Sequence, residues 1–228
     1  MKKHFFLFRH GETTYNVNGL IQGQTNNSVL TEIGIKQAFC IGKTLQEYPL
    51  EVLISSPLKR AVQTATHVLT FFPNLPFQTD NRLTEVNVGE IEGLHYTVVQ
   101  EKFKEKYQQW RSIDPTFQDV KFEAGESKRD VRTRIFDVLN DYANKTLYTY
   151  IAVSGHGILL SQLLLSLGHH ISDIPNASIL HLTYQHHQWT FEEMIHPIFD
   201  EPSKKKPDCY PNKTDKQSGK YLYFTQKK

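Results

Sequence analysis

Cysteine and long hydrophobic runs are scarce in this sequence. Its 228 residues include two cysteines, Cys40 and Cys209, which provide neither a disulfide framework nor the spacing of metal ligands. This usage suits a reducing compartment, and we therefore expect a cytoplasmic protein. No stretch of about 18 consecutive apolar residues occurs, so no membrane-spanning helix is predicted. The apolar run after Met1-Lys2-Lys3 is too short for a signal peptide, and Arg9 interrupts it.

The positive charge of the chain is concentrated at its end. Residues 203–228 carry eight lysines and two aspartates, whereas residues 1–202 carry 18 basic and 22 acidic side chains. We interpret the basic extension as a solvated tail, although such a segment can also contact nucleic acid or an acidic surface. We expect no nucleic-acid partner, because the basic residues do not alternate with aromatic ones. The apolar stretch 221–224 predicts docking as an edge strand or against a second subunit, which leaves a homodimer open.

Strand and helix patterns alternate along residues 1–202. Short apolar runs predict buried strands at 4–8, 52–54 and 151–153, and closing strands at 178–184 and 188–192. Helical patterns lie between them, at 31–48, 56 to about 71, 125 to about 142 and 158–167. In the second of these helices, Ser56 is the predicted N-cap and Pro57 the predicted first residue. The alternation predicts an α/β fold, a three-layer α/β/α sandwich with a mostly parallel central sheet. We predict one domain at 1–202 with a helical lid insertion at about 86–125, followed by the extension 203–228.

Three of the predicted strands end in loops that carry histidine or arginine. These loops are Arg9-His10-Gly11, Ser55 to Arg60, and Ser154-Gly155-His156-Gly157. Because the carboxyl ends of parallel strands meet at one edge of a sheet, we expect the three loops to converge. A guanidinium group offers paired N–H donors to phosphoryl oxygens. Two arginines and two histidines on one rim therefore predict a site for a dianionic phosphate.

Five sequence blocks stand in a fixed order between residues 4 and 193. They are 7–13 (LFRHGET) with 30–34 (LTEIG), 55–65 (SSPLKRAVQTA), 83–85 (LTE) with Gly89, 125–127 (GES), and 154–157 (SGHG). Together they resemble the histidine phosphatase superfamily, the phosphoglycerate mutase-like enzymes. The resemblance is ordered and correctly spaced, and it implies a phosphoryl-transfer enzyme.

The resemblance also implies a role for each matching residue. His10 would be the nucleophile, and Glu85 would protonate the leaving oxygen and then act as the base for water. His156 would belong to the catalytic group and would also hold the phosphate. The remaining phosphate-binding residues implied are Arg9, Arg60, Asn16, Gln22 and Gly23. Because arginines take the place of a metal in this family, we predict no metal and no cofactor.

The family contains phosphatases and mutases, and the insert after Glu85 separates them. In the cofactor-dependent mutases, as the resemblance implies, this stretch is longer, opens with an arginine-histidine-tyrosine pattern and carries a paired arginine. Here Val86-Asn87-Val88 follows Glu85, and Trp110-Arg111-Ser112 offers one arginine. The sequence therefore favours a metal-independent phosphomonoesterase acting on small phosphorylated metabolites, with a cofactor-dependent phosphoglycerate mutase as the alternative.

Two further questions stay open at the level of sequence. A non-catalytic relative that binds phosphorylated ligands or a protein is a third reading, although the chain keeps every implied catalytic residue. The substrate is not specified, because compact members of the family include broad-specificity phosphatases, sugar bisphosphatases and α-ribazole phosphatases. The stretch from Gln22 to Thr31 resembles the first and the last of these about equally. Aromatic residues of the lid either line a pocket for the leaving group or form the lid's own small core. They are Tyr96, Phe103, Tyr107 and Trp110.

Overall fold

The computed structural model describes residues 1–198, and the basic extension with its stretch 221–224 lies outside the described residues. A six-stranded sheet has the strand order β3-β2-β4-β1-β5-β6. Its strands are β1 (Lys3–Arg9), β2 (Val52–Ser55), β3 (Phe77–Thr79), β4 (Tyr150–Gly155), β5 (Ile179–Gln185) and β6 (Gln188–Ile195). Strands β1, β2, β3 and β4 pair in parallel, and β5 and β6 add an antiparallel edge. The mostly parallel α/β sheet is therefore confirmed.

Seven α-helices accompany the sheet within the described residues. They are α1 (Thr14–Val17), α2 (Glu32–Leu45), α3 (Lys59–Leu69), α4 (Tyr96–Lys102), α5 (Lys104–Arg111), α6 (Lys128–Lys145) and α7 (Gly157–Ser166). The Oγ atom of Thr31 caps α2 and that of Ser127 caps α6, each by accepting from the backbone N–H three residues on. Across this part of the chain, none of the helices has the length and apolarity needed to cross a bilayer.

The helices cover both faces of the sheet because β1 alternates its large side chains between them. Phe6 and Phe8 are fully buried in a cluster that includes residues of α2 and α3. Phe5 and Leu7 are fully buried on the other face, in a cluster that includes residues of α6 and α7. Burial of side chains of this size contributes about 1.5–3 kcal/mol each. Two hydrophobic cores on either side of one sheet produce the three-layer sandwich.

The structure differs from the sequence-based expectation at several elements. Helix α1 was not predicted, and α6 begins at Lys128 and not at 125. Helix α3 begins at Lys59 with Leu58 as its N-cap, so the predicted start at Ser56 and Pro57 was wrong. The Ser56 hydroxyl lies 2.7 Å from a ring nitrogen of His156 and is thereby used in the rim of the sheet. Strand β3 was not predicted, because its three residues are exposed at the sheet edge and show no apolar run.

The insertion after Glu85 is helical in its middle, as expected, and its buried side chains belong to the core on the α6 and α7 face of the sheet. Helices α4 and α5 lie within it, and Tyr107, Trp110 and Phe122 are buried there. The ring centroids of Trp110 and Phe122 are 5.8 Å apart in an edge-to-face arrangement. Tyr107 and Trp110 also line the cavity at the carboxyl edge of the sheet. These two aromatic residues therefore line the cavity, and they pack in the main core and not in a separate core of the lid.

Candidate active site

His10 follows the last residue of β1 and lies at the floor of the cavity. It is 2% exposed, and its Nδ1 atom is 2.8 Å from the carbonyl oxygen of Gly11. Because a carbonyl can only accept, Nδ1 carries the proton and Nε2 keeps its lone pair. The Nε–H group of Arg60 lies 3.3 Å from that Nε2 atom. The imidazole is therefore held with a nucleophilic nitrogen facing a cation.

Burial keeps this imidazole in its neutral form. It lowers the pKa of His10 well below the ordinary histidine value, and the guanidinium groups of Arg60 and Arg9 lower it further. The hydrogen bond to Gly11 acts in the opposite direction. Burial likewise lowers the pKa of His156, with Arg60 and His10 as the next causes. Both rings are therefore unprotonated at neutral pH, as a nucleophile requires.

His156 lies at the end of β4, next to β1 in the sheet. Its ring centroid is 5.4 Å from that of His10. Ser56 lies 2.7 Å from its Nε2 atom, and its Nδ1 atom is buried without a hydrogen-bond partner among residues 1–198. The Arg9 Nε atom is the second buried nitrogen in that part of the chain with no partner. With the Ser56 hydroxyl donating to Nε2, the Nδ1 atom of the neutral ring carries the proton, and an anion placed between these groups would accept from both nitrogens.

The two arginines are anchored by backbone carbonyls. Arg60, almost fully buried in the first turn of α3, donates from its two terminal nitrogens to the carbonyls of Gly23 (2.7 Å) and Thr25 (3.0 Å). Burial lowers the pKa of Arg60 to about 10, so it remains a cation at neutral pH. Arg9 donates to the carbonyl of Ile174. Fixed cations of this kind favour an anion without reorganising when it binds.

Glu85 lies on the same cavity and is held by backbone amides. Its Oε1 atom accepts from the N–H groups of Val86 (2.9 Å) and Leu159 (3.0 Å), and its Oε2 atom accepts from that of Ile158 (3.0 Å). Two of these donors belong to the first turn of α7, which starts directly after His156. The carboxylate is thus fixed beside the predicted phosphate site, and Oε2 has the free lone pair for a proton.

Asn16, Gln22 and Gly23 also line this cavity, as do the other predicted site residues except His156. His156 is fully buried behind the wall, with its ring beside that of His10. The amide oxygen of Asn16 accepts from the Thr13 backbone N–H (3.1 Å), and that of Gln22 accepts from the hydroxyl of Ser28 (2.9 Å). Since the amide oxygens are used in this way, the amide nitrogens are the atoms left for an anion.

Several residues that position the site by hydrogen bonds were not predicted from the sequence. The side-chain amide of Asn176 donates to the carbonyl oxygen of His10 (3.0 Å) and lies 3.3 Å from the amide oxygen of Asn16. The hydroxyl of Thr64 accepts from the backbone N–H of Gly11 (3.1 Å). Asn176 stands in a segment with no motif, so no local signal pointed to it.

The acid sensitivity of the fold should follow from the two buried imidazoles. In the unfolded chain His10 and His156 bind protons near pH 6.5, whereas in the folded protein they do so only well below it. The unfolded state therefore binds more protons, and stability falls with pH below about 6.5, by at most about 1.4 kcal/mol per pH unit for each ring. His4 and His181, whose pKa values burial also lowers, act in the same direction.

Urea unfolding at pH 7.5 and 5.5 measures this effect. We expect His10→Asn and His156→Asn each to lose less stability on acidification than the wild type, while the exposed control His186→Asn behaves like the wild type. An equal loss in all four proteins would contradict the assignment of the acid sensitivity to these rings.

Arg134 on α6 ties the Glu85 segment to the 125–127 block. It donates to the carbonyls of Arg82 (2.9 Å), Thr84 (2.5 Å) and Glu85 (3.0 Å). It also pairs with both carboxylate oxygens of Glu126 at 3.0 Å. A planar guanidinium satisfies this fan of acceptors, and a lysine ammonium does not. Arg134 is therefore a positioning residue for the carboxylate of Glu85.

Arg134→Lys should lower kcat about 10- to 100-fold for hydrolysis of a phosphate ester with a poor leaving group, because a small displacement of Glu85 is costly. KM should change less than kcat. Arg129→Lys is the matched control, since Arg129 lies on the same helix and pairs bidentately with the exposed Asp119. Steady-state kinetics of the three proteins decide the point, and equal kcat values would show that Arg134 does not position Glu85.

The described residues include no group of three histidine, cysteine, aspartate or glutamate side chains arranged to hold a metal ion. The prediction of a metal-free site rests instead on the two arginines, which supply fixed positive charge beside His10.

Comparison with known proteins identifies relatives of this chain. A family model described as the histidine phosphatase superfamily (branch 1) matches residues 5–196. The protein named "Probable phosphoglycerate mutase GpmB" of Yersinia pestis (strain Pestoides F) is 31% identical over 192 residues, covering 81% of this chain and 86% of that protein. The homologue of the same name from Yersinia pseudotuberculosis (serotype I, strain IP32953) has the same identity and coverage.

Solved structures share the fold. A mycobacterial glucosyl-3-phosphoglycerate phosphatase in complex with VO3 superposes with a TM-score of 0.74 and 26% identity, covering 83% of this chain and 97% of that one. The alpha-ribazole phosphatase from Shigella flexneri superposes with a TM-score of 0.73 and 23% identity, covering 88% and 100%. The names of the sequence relatives and of the structural neighbours thus point to different reactions.

Proposed function

Because the chain belongs to the histidine phosphatase superfamily, we propose that it hydrolyses phosphate monoesters of small metabolites through a phosphohistidine intermediate. One observation carries the proposal. The unprotonated Nε2 of His10 faces a pocket where Arg60 is 3.3 Å away and where the nitrogens Arg9 Nε and His156 Nδ1 are buried without partners among residues 1–198. A phosphoryl group placed there would meet a nucleophile and unsatisfied donors together.

In the first proposed step the lone pair of His10 Nε2 attacks phosphorus. The P–N bond forms as the ester P–O bond breaks, and Glu85 gives its proton to the leaving oxygen. The charge on the transferring phosphoryl group is spread over its equatorial oxygens, and Arg9 and Arg60 stabilise it there. These fixed arginines supply the positive charge, so the proposal needs no metal and no other cofactor.

In the second proposed step a water molecule replaces the alcohol. The Glu85 carboxylate, deprotonated by the first step, takes a proton from this water as its oxygen attacks phosphorus. The P–N bond breaks, inorganic phosphate forms, and Glu85 and His10 return to their starting states. The hydrogen bond from Nδ1 to the Gly11 carbonyl keeps Nε2 aimed at phosphorus in both steps.

A phosphoglycerate mutase is the alternative, and the name of the 31%-identical relatives favours it. Both reactions share the phosphohistidine, but a mutase returns the phosphoryl group to a second hydroxyl of a retained substrate. The leaving-group side of this cavity offers Arg111 on its wall, together with Tyr96, Tyr107 and Trp110. That wall is mostly aromatic, which favours release of the alcohol and therefore the phosphatase.

Hydrolysis of p-nitrophenyl phosphate in the presence of a chelator tests the proposal, together with an assay for interconversion of 3- and 2-phosphoglycerate. We expect release of p-nitrophenolate, an acid-labile and base-stable phosphoenzyme after quenching, and no mutase turnover. Mutase turnover would replace the proposed function by its alternative. Absence of both activities and of a phosphoenzyme in the folded protein would overturn the enzymatic assignment.

A further inference from the structure

The side chain of Gln24 joins two parts of the candidate site without lining its cavity. It is half-buried, and it is not on the cavity wall that the described residues form. Its Nε2 atom donates to the carbonyl oxygen of Glu85 (2.9 Å) and to the hydroxyl of Thr84 (3.3 Å), and its backbone N–H donates to the carboxylate of Glu92 (2.8 Å). All three contacts attach residues 22–26, which we call the anchor loop, to the segment that carries the proposed proton donor.

The backbone on either side of Gln24 holds the cation that faces His10. The two carbonyls that accept from the terminal nitrogens of Arg60 belong to Gly23 (2.7 Å) and Thr25 (3.0 Å), the residues directly before and after Gln24. A guanidinium held at two nitrogens has a fixed plane and direction. The position of the anchor loop therefore sets the direction in which Arg60 presents its Nε–H group to the phosphoryl site.

The anchor loop also caps the helix that carries Arg60. Leu58, the N-cap residue of α3, makes no side-chain hydrogen bond to the helix. The side-chain oxygen of Asn26 accepts instead from the backbone N–H of Lys59 (3.0 Å), directly before Arg60. Loop and helix are thus joined through the backbone as well as through the guanidinium.

The carbonyl oxygen of Glu85 is held from two directions. Gln24 donates to it from the anchor loop, and Arg134 donates to it from α6 at 3.0 Å. A carbonyl oxygen has two lone pairs, and these two donors use both of them. Arg134 fixes this backbone against a helix of the main body, whereas Gln24 fixes it against the loop that holds Arg60.

We infer that Gln24 is a positioning residue that couples the phosphate-binding cation Arg60 to the proton donor Glu85. The inference rests on the proposed phosphatase function. The contacts run from the guanidinium of Arg60 to the carbonyls flanking Gln24, and from the Gln24 amide to the backbone of Glu85. The direction of the cation and the placement of the acid therefore depend on one side chain that lies outside the cavity. A displacement of about 1 Å in such an arrangement is enough to slow the reaction.

Gln24→Met tests the coupling, because methionine keeps the length of the side chain and cannot donate a hydrogen bond. We expect kcat for an alkyl phosphate to fall about 10- to 100-fold. We also expect competitive inhibition of p-nitrophenyl phosphate hydrolysis by inorganic phosphate to weaken about three- to tenfold, since the loop that directs Arg60 loses a contact. Gln24→Ala should show the same two losses.

Arg134→Lys distinguishes coupling from a general effect on the Glu85 segment. The hydrogen bonds of Arg134 go to residues 82–85 and to Glu126. Its replacement should therefore lower kcat for the alkyl phosphate and change the inhibition constant of inorganic phosphate about twofold or less. The two constants report the acid and the cation separately, and a merely structural role for Gln24 would not move both in the folded protein.

Gln100→Met makes the same chemical change at an exposed position on α4 and is the matched control, which should keep both wild-type constants. If the wild type hydrolyses p-nitrophenyl phosphate and both Gln24 variants keep the two constants, the inference is overturned and the proposed function stands. The same conclusion holds if the Gln24 variants change only one of the two constants. If the wild type does not hydrolyse p-nitrophenyl phosphate, the proposed function itself fails.

Discussion

Replacement of His10 by alanine is expected to reduce the turnover of any phosphate ester by about 10⁴-fold or more, the scale seen when a catalytic nucleophile is removed. The physical reason is that the hydrogen bond to the Gly11 carbonyl leaves the lone pair of His10 Nε2 facing Arg60, in position to attack phosphorus. His156, the nearest candidate, has its Nε2 atom engaged with Ser56 at 2.7 Å. The expected result includes loss of the acid-labile phosphoenzyme together with the loss of turnover. Steady-state kinetics and phosphoenzyme trapping measure the two effects separately.

A matched control separates loss of chemistry from loss of fold. His186→Ala removes an exposed histidine in the turn between β5 and β6 and should leave turnover unchanged. The thermal melting of His10→Ala should be close to that of the wild type at pH 7.5, because the backbone carbonyl that Asn176 contacts is retained. A folded His10→Ala protein that still formed a base-stable phosphoenzyme would show that another histidine is the nucleophile.

Removal of Glu85 is expected to produce an effect that depends on the leaving group. General acid catalysis contributes about 10²- to 10⁴-fold, but p-nitrophenolate leaves readily without a proton. Glu85→Ala should therefore lose about 10²-fold or more in kcat for an alkyl phosphate while forming the phosphohistidine from p-nitrophenyl phosphate at a rate closer to that of the wild type. Because Glu85 is also the proposed base for water, the second step should become slow for both esters.

Stopped-flow measurement of p-nitrophenolate release tests this directly. A burst of about one equivalent per active site, followed by slow turnover, is the expected result for Glu85→Ala. Glutamine is a poor substitute here, because its amide nitrogen would face one of the backbone N–H groups of Val86, Ile158 and Leu159 that the carboxylate accepts from. Equal losses for alkyl and aryl esters, without a burst, would contradict the acid–base role.

The sequence predicted the sheet and most of the helices because their signals are local. The apolar runs that end in Arg9, Ser55 and Gly155 mark three strands whose carboxyl ends do converge. The local pattern was misleading at Ser56, however, because a serine before a proline is typical of a helix start. The structure uses that hydroxyl for His156, one hundred residues away along the chain. A pattern of neighbouring residues cannot report such a partner.

The same limit explains which parts of the site were missed. His10, Arg60, Glu85 and His156 lie in motifs and were predicted from them, together with their resemblance to a known family. Arg134 donates to the carbonyl of Glu85, which lies 49 residues earlier in the chain. The helical pattern of apolar residues does not distinguish Arg134 from the other arginines of α6.

The distance of 5.4 Å between the ring centroids of His10 and His156 bears on how the substrate selectivity of this protein can change in evolution. The two histidines follow paired residues of neighbouring strands, so the separation of their backbones is set by the spacing of about 4.8 Å between paired strands. That spacing is a property of backbone hydrogen bonding and cannot drift by small substitutions. The walls contributed by α4 and α5 have no such constraint. Selectivity can therefore change by gradual replacement of lid residues while the dimensions of the phosphoryl pocket stay constant.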